Sequence, residues 1–115
     1  MSLTPQQVEK RLFELSKEMD EAHEALVQTE NDYAVTQSTY EIAMAKSRMR
    51  NSHPDMKMTV GMRDDQALID NADLHQQVAI LEASVKANRA NVNRIRTQVD
   101  IARSISSSIK ATLEL

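Results

Sequence analysis

Apolar positions repeat along two long segments of the chain with alternating steps of four and three residues. The repeat runs from Val8 to Ser47 in the first segment and from Val78 to Leu113 in the second. Such spacing places one side of an α-helix against a partner helix, as in a coiled coil. We call the repeating positions the seam of each helix. The pattern predicts an all-α fold, in which residues 1–115 form a single domain, a long antiparallel helical hairpin that is coiled-coil-like.

The first helix has a complete start signal in the sequence. Thr4 is a suitable N-cap residue, Pro5 suits the first helical position, and Gln7 can complete a capping box with Thr4. No glycine or proline interrupts the seam that follows. We therefore predict a first helix over about residues 5–50.

The segment between the two repeats contains residues that commonly end helices. Pro54 disfavours helical geometry in the residue before it, and Gly61 follows within the same stretch. These residues predict a basic, methionine-rich loop over about residues 51–63. Asp64, or the aspartate after it, can cap a second helix, which we expect to be uninterrupted over about residues 64–113.

The composition argues against a compact enzyme. The 115 residues include one glycine, two prolines, three aromatic residues and no cysteine, which leaves few turn residues and few large core side chains. No apolar run reaches the roughly 18 residues that a membrane-spanning helix needs, so we expect a soluble, cytoplasmic protein without a membrane partner. His23, His53 and His75 do not have the spacing of a metal site. We expect neither an enzyme nor a cofactor.

Charges are grouped along the chain, although the net charge is only −3. Residues 1–45 carry a net charge of −6, whereas residues 46–63 carry +4. In a hairpin the cations of the central segment collect at one end, and we call this group the basic tip: Lys46, Arg48, Arg50, Lys57 and Arg63. The tip predicts contacts with phosphates of single-stranded DNA, and since it lacks Trp and Phe, base specificity is not expected. Alternatively, the tip is a solvated loop that offsets the acidic residues 64–73.

A second basic pattern recurs every seven residues along the second helix, at Arg89, Arg96, Arg103 and Lys110. It is open to two interpretations, a nucleic-acid track or a set of salt bridges beside the seam. In a hairpin that folds about residues 59–60, Lys110 lies opposite Glu9 and Arg89 opposite Glu30, which favours the salt bridges.

The face of the second helix opposite its seam carries a column of small residues, Ala83, Ala90, Thr97, Ser104 and Ala111. Small side chains allow another helix to approach closely, and Ile80, Ile101 and Ile105 add apolar surface beside them. Because a lone hairpin buries only one stripe per helix, we expect self-assembly into a homo-oligomeric helical bundle or ring. Alternatively, the column is a neutral, solvated surface.

The layout resembles the small phage recombination mediators typified by UvsY. The residues that carry the resemblance are Ala45-Lys46-Ser47-Arg48, with Tyr40 upstream, RDDQAL downstream and the ending DIARSISSSIK. The resemblance implies hairpins assembled into a ring in the host cytoplasm. It also implies a non-enzymatic loader that binds single-stranded DNA and helps a recombinase or annealing protein against single-strand-binding protein. By the same resemblance Lys46 and Arg48 contact phosphates, while Arg50, Lys57 and Arg63 extend that set from charge alone.

A different class of function is also consistent with the sequence. The central segment contains four methionines, Met49, Met56, Met58 and Met62. Methionine side chains adapt to irregular protein surfaces. Under this interpretation the chain is a structural or assembly protein of a phage, such as a scaffold or an assembly chaperone. It would bind a protein partner through the tip.

Overall fold

The computed structural model describes residues 3–114, and these residues form helices with no strand among them. The helices are α1 (Pro5–Asn51), α2 (Val60–Asp70) and α3 (Ala72–Leu113). A short 3-10 turn, Pro54–Met56, lies between α1 and α2. The predicted all-α helical hairpin is confirmed.

The start of α1 follows the predicted capping box. The Gln7 backbone N–H donates to Thr4 Oγ1 at 3.2 Å, and the Thr4 backbone N–H donates to Gln7 Oε1 at 2.9 Å. The two bonds satisfy N–H groups that have no acceptor within the helix. α1 therefore begins at Pro5, as the sequence indicates.

The helices pack as two compact units. The first unit combines the described residues up to Val27 with those from Lys86 onward. Its buried core consists of Leu15, Ala22, Val92, Ile95 and Ala102, packed against half-buried Leu12, Met19, Leu26 and Val99. All nine are seam positions of the predicted helices, so the apolar repeat correctly identified the packed faces of α1 and α3 here.

The second unit comprises Gln28–Val85. The Tyr40 ring packs beside the His75 ring, with 5.7 Å between the centroids, and the Asn71 side chain contacts Ser47. Higher residue numbers in α1 thus meet lower numbers in the partner helices, which is the antiparallel arrangement. The predicted register was wrong, because it placed Tyr40 opposite Ala79, one helical turn beyond His75.

The start of the second helix explains this shift in register. Thr59, and not Asp64, is the N-cap, and its Oγ1 accepts a bond from the Met62 backbone N–H at 3.2 Å. α2 therefore begins at Val60, four residues earlier than predicted, and Gly61 lies within it. The connection is shorter than the predicted loop over residues 51–63, so α2 meets α1 in a different alignment.

The second helix is also interrupted, contrary to the prediction of one helix over residues 64–113. Asn71 adopts φ −118° and ψ 26°, which ends α2, and α3 begins at Ala72. The Asn71 side chain donates to the Ala67 carbonyl oxygen at 2.8 Å, and the Asn71 backbone N–H bonds the same oxygen. An asparagine side chain that bonds a backbone carbonyl in this way competes with regular helical hydrogen bonding. Asn71 thereby divides the predicted second helix into α2 and α3.

Candidate nucleic-acid interface

The five cations of the basic tip lie in the second unit, around the connection between α1 and α2. Lys46, Arg48 and Arg50 belong to the last turns of α1, Lys57 follows the 3-10 turn, and Arg63 lies in the first turn of α2. All except Arg63 are exposed. Their surroundings differ enough that they do not form one uniform patch.

Lys46 and Arg50 share one side of α1, because residues four apart are neighbours on a helix. Both side chains line a shallow groove together with Ala43, Met49 and Asn71. Lys46 makes no hydrogen bond or ion pair with any described residue, and Arg50 donates to Ser47 Oγ at 2.9 Å. This groove is therefore a cationic surface with no carboxylate in its lining.

Arg48 faces the first turn of α2 instead. Its Nε donates to Asp64 Oδ1 at 2.9 Å, and both side chains are about half exposed. Asp64, one of the acidic residues 64–73, therefore partly neutralises Arg48. An exposed pair of this kind contributes about 0–1 kcal/mol, and its main effect is to reduce the charge that Arg48 offers to a ligand.

Lys57 lies directly after the 3-10 turn and has φ 47°. A non-glycine residue in this left-handed region is uncommon and marks a sharp change in chain direction. The Lys57 ammonium has no hydrogen bond or ion pair within residues 3–114. The neighbouring Asp55 is instead 3.5 Å from His53 Nδ1, an ion pair only when His53 is protonated.

Arg63 differs from the other tip cations because it is half-buried. Its Nε is buried and finds no acceptor among the described residues. Arg63, which the charge pattern alone placed among the predicted phosphate contacts, is thus less accessible than the other four cations of the tip.

Three polar residues near the basic tip, Ser47, Asn51 and Asn71, were not identified from the charge pattern. Ser47 is fully buried, and its Oγ accepts bonds from Arg50 and from Asn71 Nδ2, the latter at 2.9 Å. Asn51, one turn further along α1, is buried as well. The available signals were a serine at a seam position of the first helix and an asparagine within the predicted second helix, neither of which is specific.

The methionines of the tip are mostly exposed. Met49 is 75% exposed, and Met56 and Met62 are about half exposed. Met58 is half-buried. Three apolar side chains thus stand beside the cations at the surface of the second unit.

Arg96 and Arg103 belong to the basic residues that recur every seven positions along α3. Arg96 and Arg103 line a groove of the first unit with Asp20 and Asp100, and Arg96 donates to Asn93 Oδ1 at 3.3 Å. Arg11 reaches Gln98 at 3.5 Å, although the predicted register placed it opposite Ser108.

The predicted pair between Lys110 and Glu9 is absent from the ion pairs of the described residues, so this prediction was wrong. The register that placed Lys110 opposite Glu9 is the one that also misplaced Arg11. The Arg89–Glu30 bridge stays a prediction.

Other kinds of site were sought in the same residues. Within residues 3–114 no group of three or more histidine and acidic side chains is arranged to hold a metal ion. No described helix combines the length and apolarity needed to cross a bilayer. Comparison with known proteins gave no matching family model, no matching curated protein and no matching solved structure.

Proposed function

We propose that this chain binds single-stranded DNA through the phosphate backbone and acts as a phage-type recombination mediator. In this role it assists the loading of a recombinase or annealing protein against single-strand-binding protein, without catalysing a reaction. The observation that carries the DNA-binding proposal is the set of exposed cations without carboxylate partners, Lys46, Arg50 and Lys57. The mediator role rests on the resemblance of the layout to the UvsY type.

The absence of free aromatic rings at the tip favours phosphate contacts over base contacts. Tyr40 already packs beside His75, and no Trp or Phe lies in the second unit. Base stacking on an aromatic platform is therefore not the expected source of affinity. The expected source of affinity is counterion release from the phosphates. It predicts that binding depends strongly on salt and only weakly on base sequence.

Self-assembly supports this role by raising the local concentration of tips. Several hairpins in one bundle or ring present their cations to the same strand, which increases avidity without new contacts. Ile80 and Ile101 are more than half exposed beside the small-residue column of α3. These apolar side chains are the surface that we propose for the contact between copies.

The test compares two variants that remove equal charge. Lys46→Gln/Lys57→Gln removes two tip ammonium groups that make no hydrogen bond or ion pair with described residues. Lys10→Gln/Lys17→Gln removes two exposed ammonium groups from the first unit. Fluorescence anisotropy with labelled oligo(dT) and a mixed-sequence strand measures affinity from low to moderate salt.

We expect the tip variant to lose affinity and to lower the salt slope by about 0.7 for each phosphate contact removed. The control variant should change binding much less, and both oligonucleotides should bind the wild type with similar affinity. Equal losses in the two variants would indicate a general charge effect and contradict the assignment to the tip.

The exposed methionines favour a second candidate function, binding of a protein partner by an assembly protein. Met49 is the most exposed methionine of the tip, and it lines the groove together with Lys46 and Arg50. If the wild type binds no single-stranded DNA at low salt, this structural or assembly role becomes the better explanation of the tip.

A further inference from the structure

The part of α1 in the second unit carries a further repeat of uncharged residues on its exposed side. Its five members are separated by alternating steps of three and four residues, and all are exposed: Val35, Ser38, Ile42, Ala45 and Met49. We call this set the outer seam. Its three large side chains are each more than half exposed. An exposed helix face normally carries charged residues, so five successive seam positions without charge indicate a face that another helix covers.

The outer seam lies on the side of α1 opposite to its packed face. Tyr40 packs beside His75, and Met44 is buried next to the Asn71 side chain. Ile42 is two residues away from both Tyr40 and Met44, and two residues turn an α-helix by about 200°. The outer seam therefore faces water in the single chain and is available to a partner.

The charges beside the outer seam change sign along α1. Residues 28–45 include three acidic residues and no lysine or arginine, whereas residues 46–63 carry a net charge of +4. A second copy that runs in the same direction would place like charges beside each other. In the opposite direction, the acidic part of each copy lies beside the basic part of the other. Charge complementarity therefore favours an antiparallel second copy as the partner.

The sizes of the side chains favour the same direction. Along the outer seam, large side chains alternate with the small Ser38 and Ala45. In an antiparallel pair, Ile42 of each copy faces Ala45 of the other, and Met49 of each copy faces Ser38 of the other. Each layer then combines a large side chain with a small one, which keeps the distance between the helices even. A parallel pair would instead place large side chains against each other and leave gaps at the small ones.

We propose that the outer seam binds the outer seam of a second copy of this chain, antiparallel, about a two-fold axis near residues 43–44. In this register Glu41 of each copy reaches Arg48 of the other. Asp64 accepts a hydrogen bond from Arg48 Nε, and the terminal nitrogens of the guanidinium offer further donors to a second carboxylate. The inference goes beyond the proposed function, which assigns the contact between copies to α3 and does not require α1.

The first experiment measures self-association by sedimentation equilibrium without DNA. Ala90→Glu is the background, because it blocks the proposed contact on α3, and this chain should form dimers in the micromolar range. Adding Ile42→Glu should weaken the dimer at least about tenfold, since it buries a charge from each copy. The matched control is Phe13→Glu, at an exposed apolar position of α1 in the first unit, and it should leave the dimer unchanged.

A second experiment tests the antiparallel register by exchanging charges. Glu41→Lys and Arg48→Glu should each weaken the dimer, because each places like charges opposite each other. The double variant Glu41→Lys/Arg48→Glu restores the pairs between copies and should bind more tightly than either single variant. Recovery in Glu41→Lys/Lys46→Glu instead would indicate a parallel pair, in which Glu41 meets Lys46, and would overturn the inference.

The outcomes separate the inference from the proposed function, since no oligonucleotide is present. A monomeric Ala90→Glu chain would overturn the outer seam as an interface, and so would a dimer that Ile42→Glu leaves unchanged. Equal losses in Ile42→Glu and Phe13→Glu would also overturn it. A dimer that Ile42→Glu disrupts, in a protein that binds no single-stranded DNA, would support the inference and contradict the DNA-binding function.

Discussion

At the scale of single residues, the tip depends on a few buried polar contacts. Ser47 receives hydrogen bonds from Arg50 on its own helix and from Asn71 on the opposite arm. Removing a buried acceptor that two donors share is costly, because both donors lose their hydrogen-bond partner. Ser47 therefore links the position of Arg50 in the groove to the end of α2.

The first residue-scale prediction concerns this serine. Ser47→Ala should reduce the free energy of unfolding by about 1–2 kcal/mol, since it removes the acceptor of two hydrogen bonds. Ser38→Ala, at an exposed position of the same helix, is the matched control and should change it by less than about 0.5 kcal/mol. Urea unfolding measures both values. Equal stabilities of the two variants would refute the structural role of Ser47.

The second residue-scale prediction concerns the core of the first unit. Leu15 is 1% exposed, and Leu15→Ala should cost about 2–5 kcal/mol because it leaves a cavity in the core. Phe13 is 66% exposed, so Phe13→Ala should cost far less despite removing a larger side chain. Urea unfolding of the two variants measures this order, and the reverse order would contradict the assigned seam.

At the scale of elements, Thr59 and Asn71 set the limits of α2. The cap at Thr59 shortens the connection, and Asn71 ends the helix after 11 residues. Their positions place Arg63 in the first turn of α2 and bring Asp64 to Arg48. The arrangement of the candidate site therefore depends on these two polar residues as much as on the cations themselves.

The element-scale prediction separates the two possible caps of α2. Thr59→Ala should cost about 1 kcal/mol, because the Met62 N–H loses its acceptor. Asp64→Ala should cost less, since it removes only an exposed ion pair with Arg48. Urea unfolding again provides the comparison. A larger loss for Asp64→Ala would restore the cap position that the sequence predicted.

At the scale of the whole molecule, the proposed assembly concerns the outer face of α3. Ala90 is exposed within the small-residue column, and Ile80 and Ile101 expose much of their apolar surface. In a single chain these side chains remain in contact with water. Assembly would bury them, and burial of apolar area is favourable by roughly 25 cal/mol per Å².

The whole-molecule prediction tests that face. Ala90→Glu should weaken self-association, because a charge would be buried against a closely packed helix. Phe13→Glu adds the same charge to an exposed position of α1 and should leave the native mass unchanged. Native mass spectrometry at micromolar concentration distinguishes the two. A wild type that is monomeric under these conditions would defeat the assembly proposal.

The sequence by itself determined the helical class, the start of α1 and, in the first unit, the residues that pack between the helices. The apolar repeat and the Thr4–Gln7 capping box are local patterns, and local spacing is enough to predict which side of a helix is buried. Leu15 and Ile95 were assigned to the seam on that basis and are among the most buried residues of the first unit.

Only the tertiary structure decided the register of the helices and how the tip cations differ in burial and in pairing. Both depend on residues far apart in sequence, such as Asn71 and Ser47, whose contact no periodic pattern specifies. A shift of one turn changes every partner across the helices while leaving the seam apolar. For the same reason, the burial of Arg63 and the pairing of Arg48 became visible only once α1 and α2 were placed together.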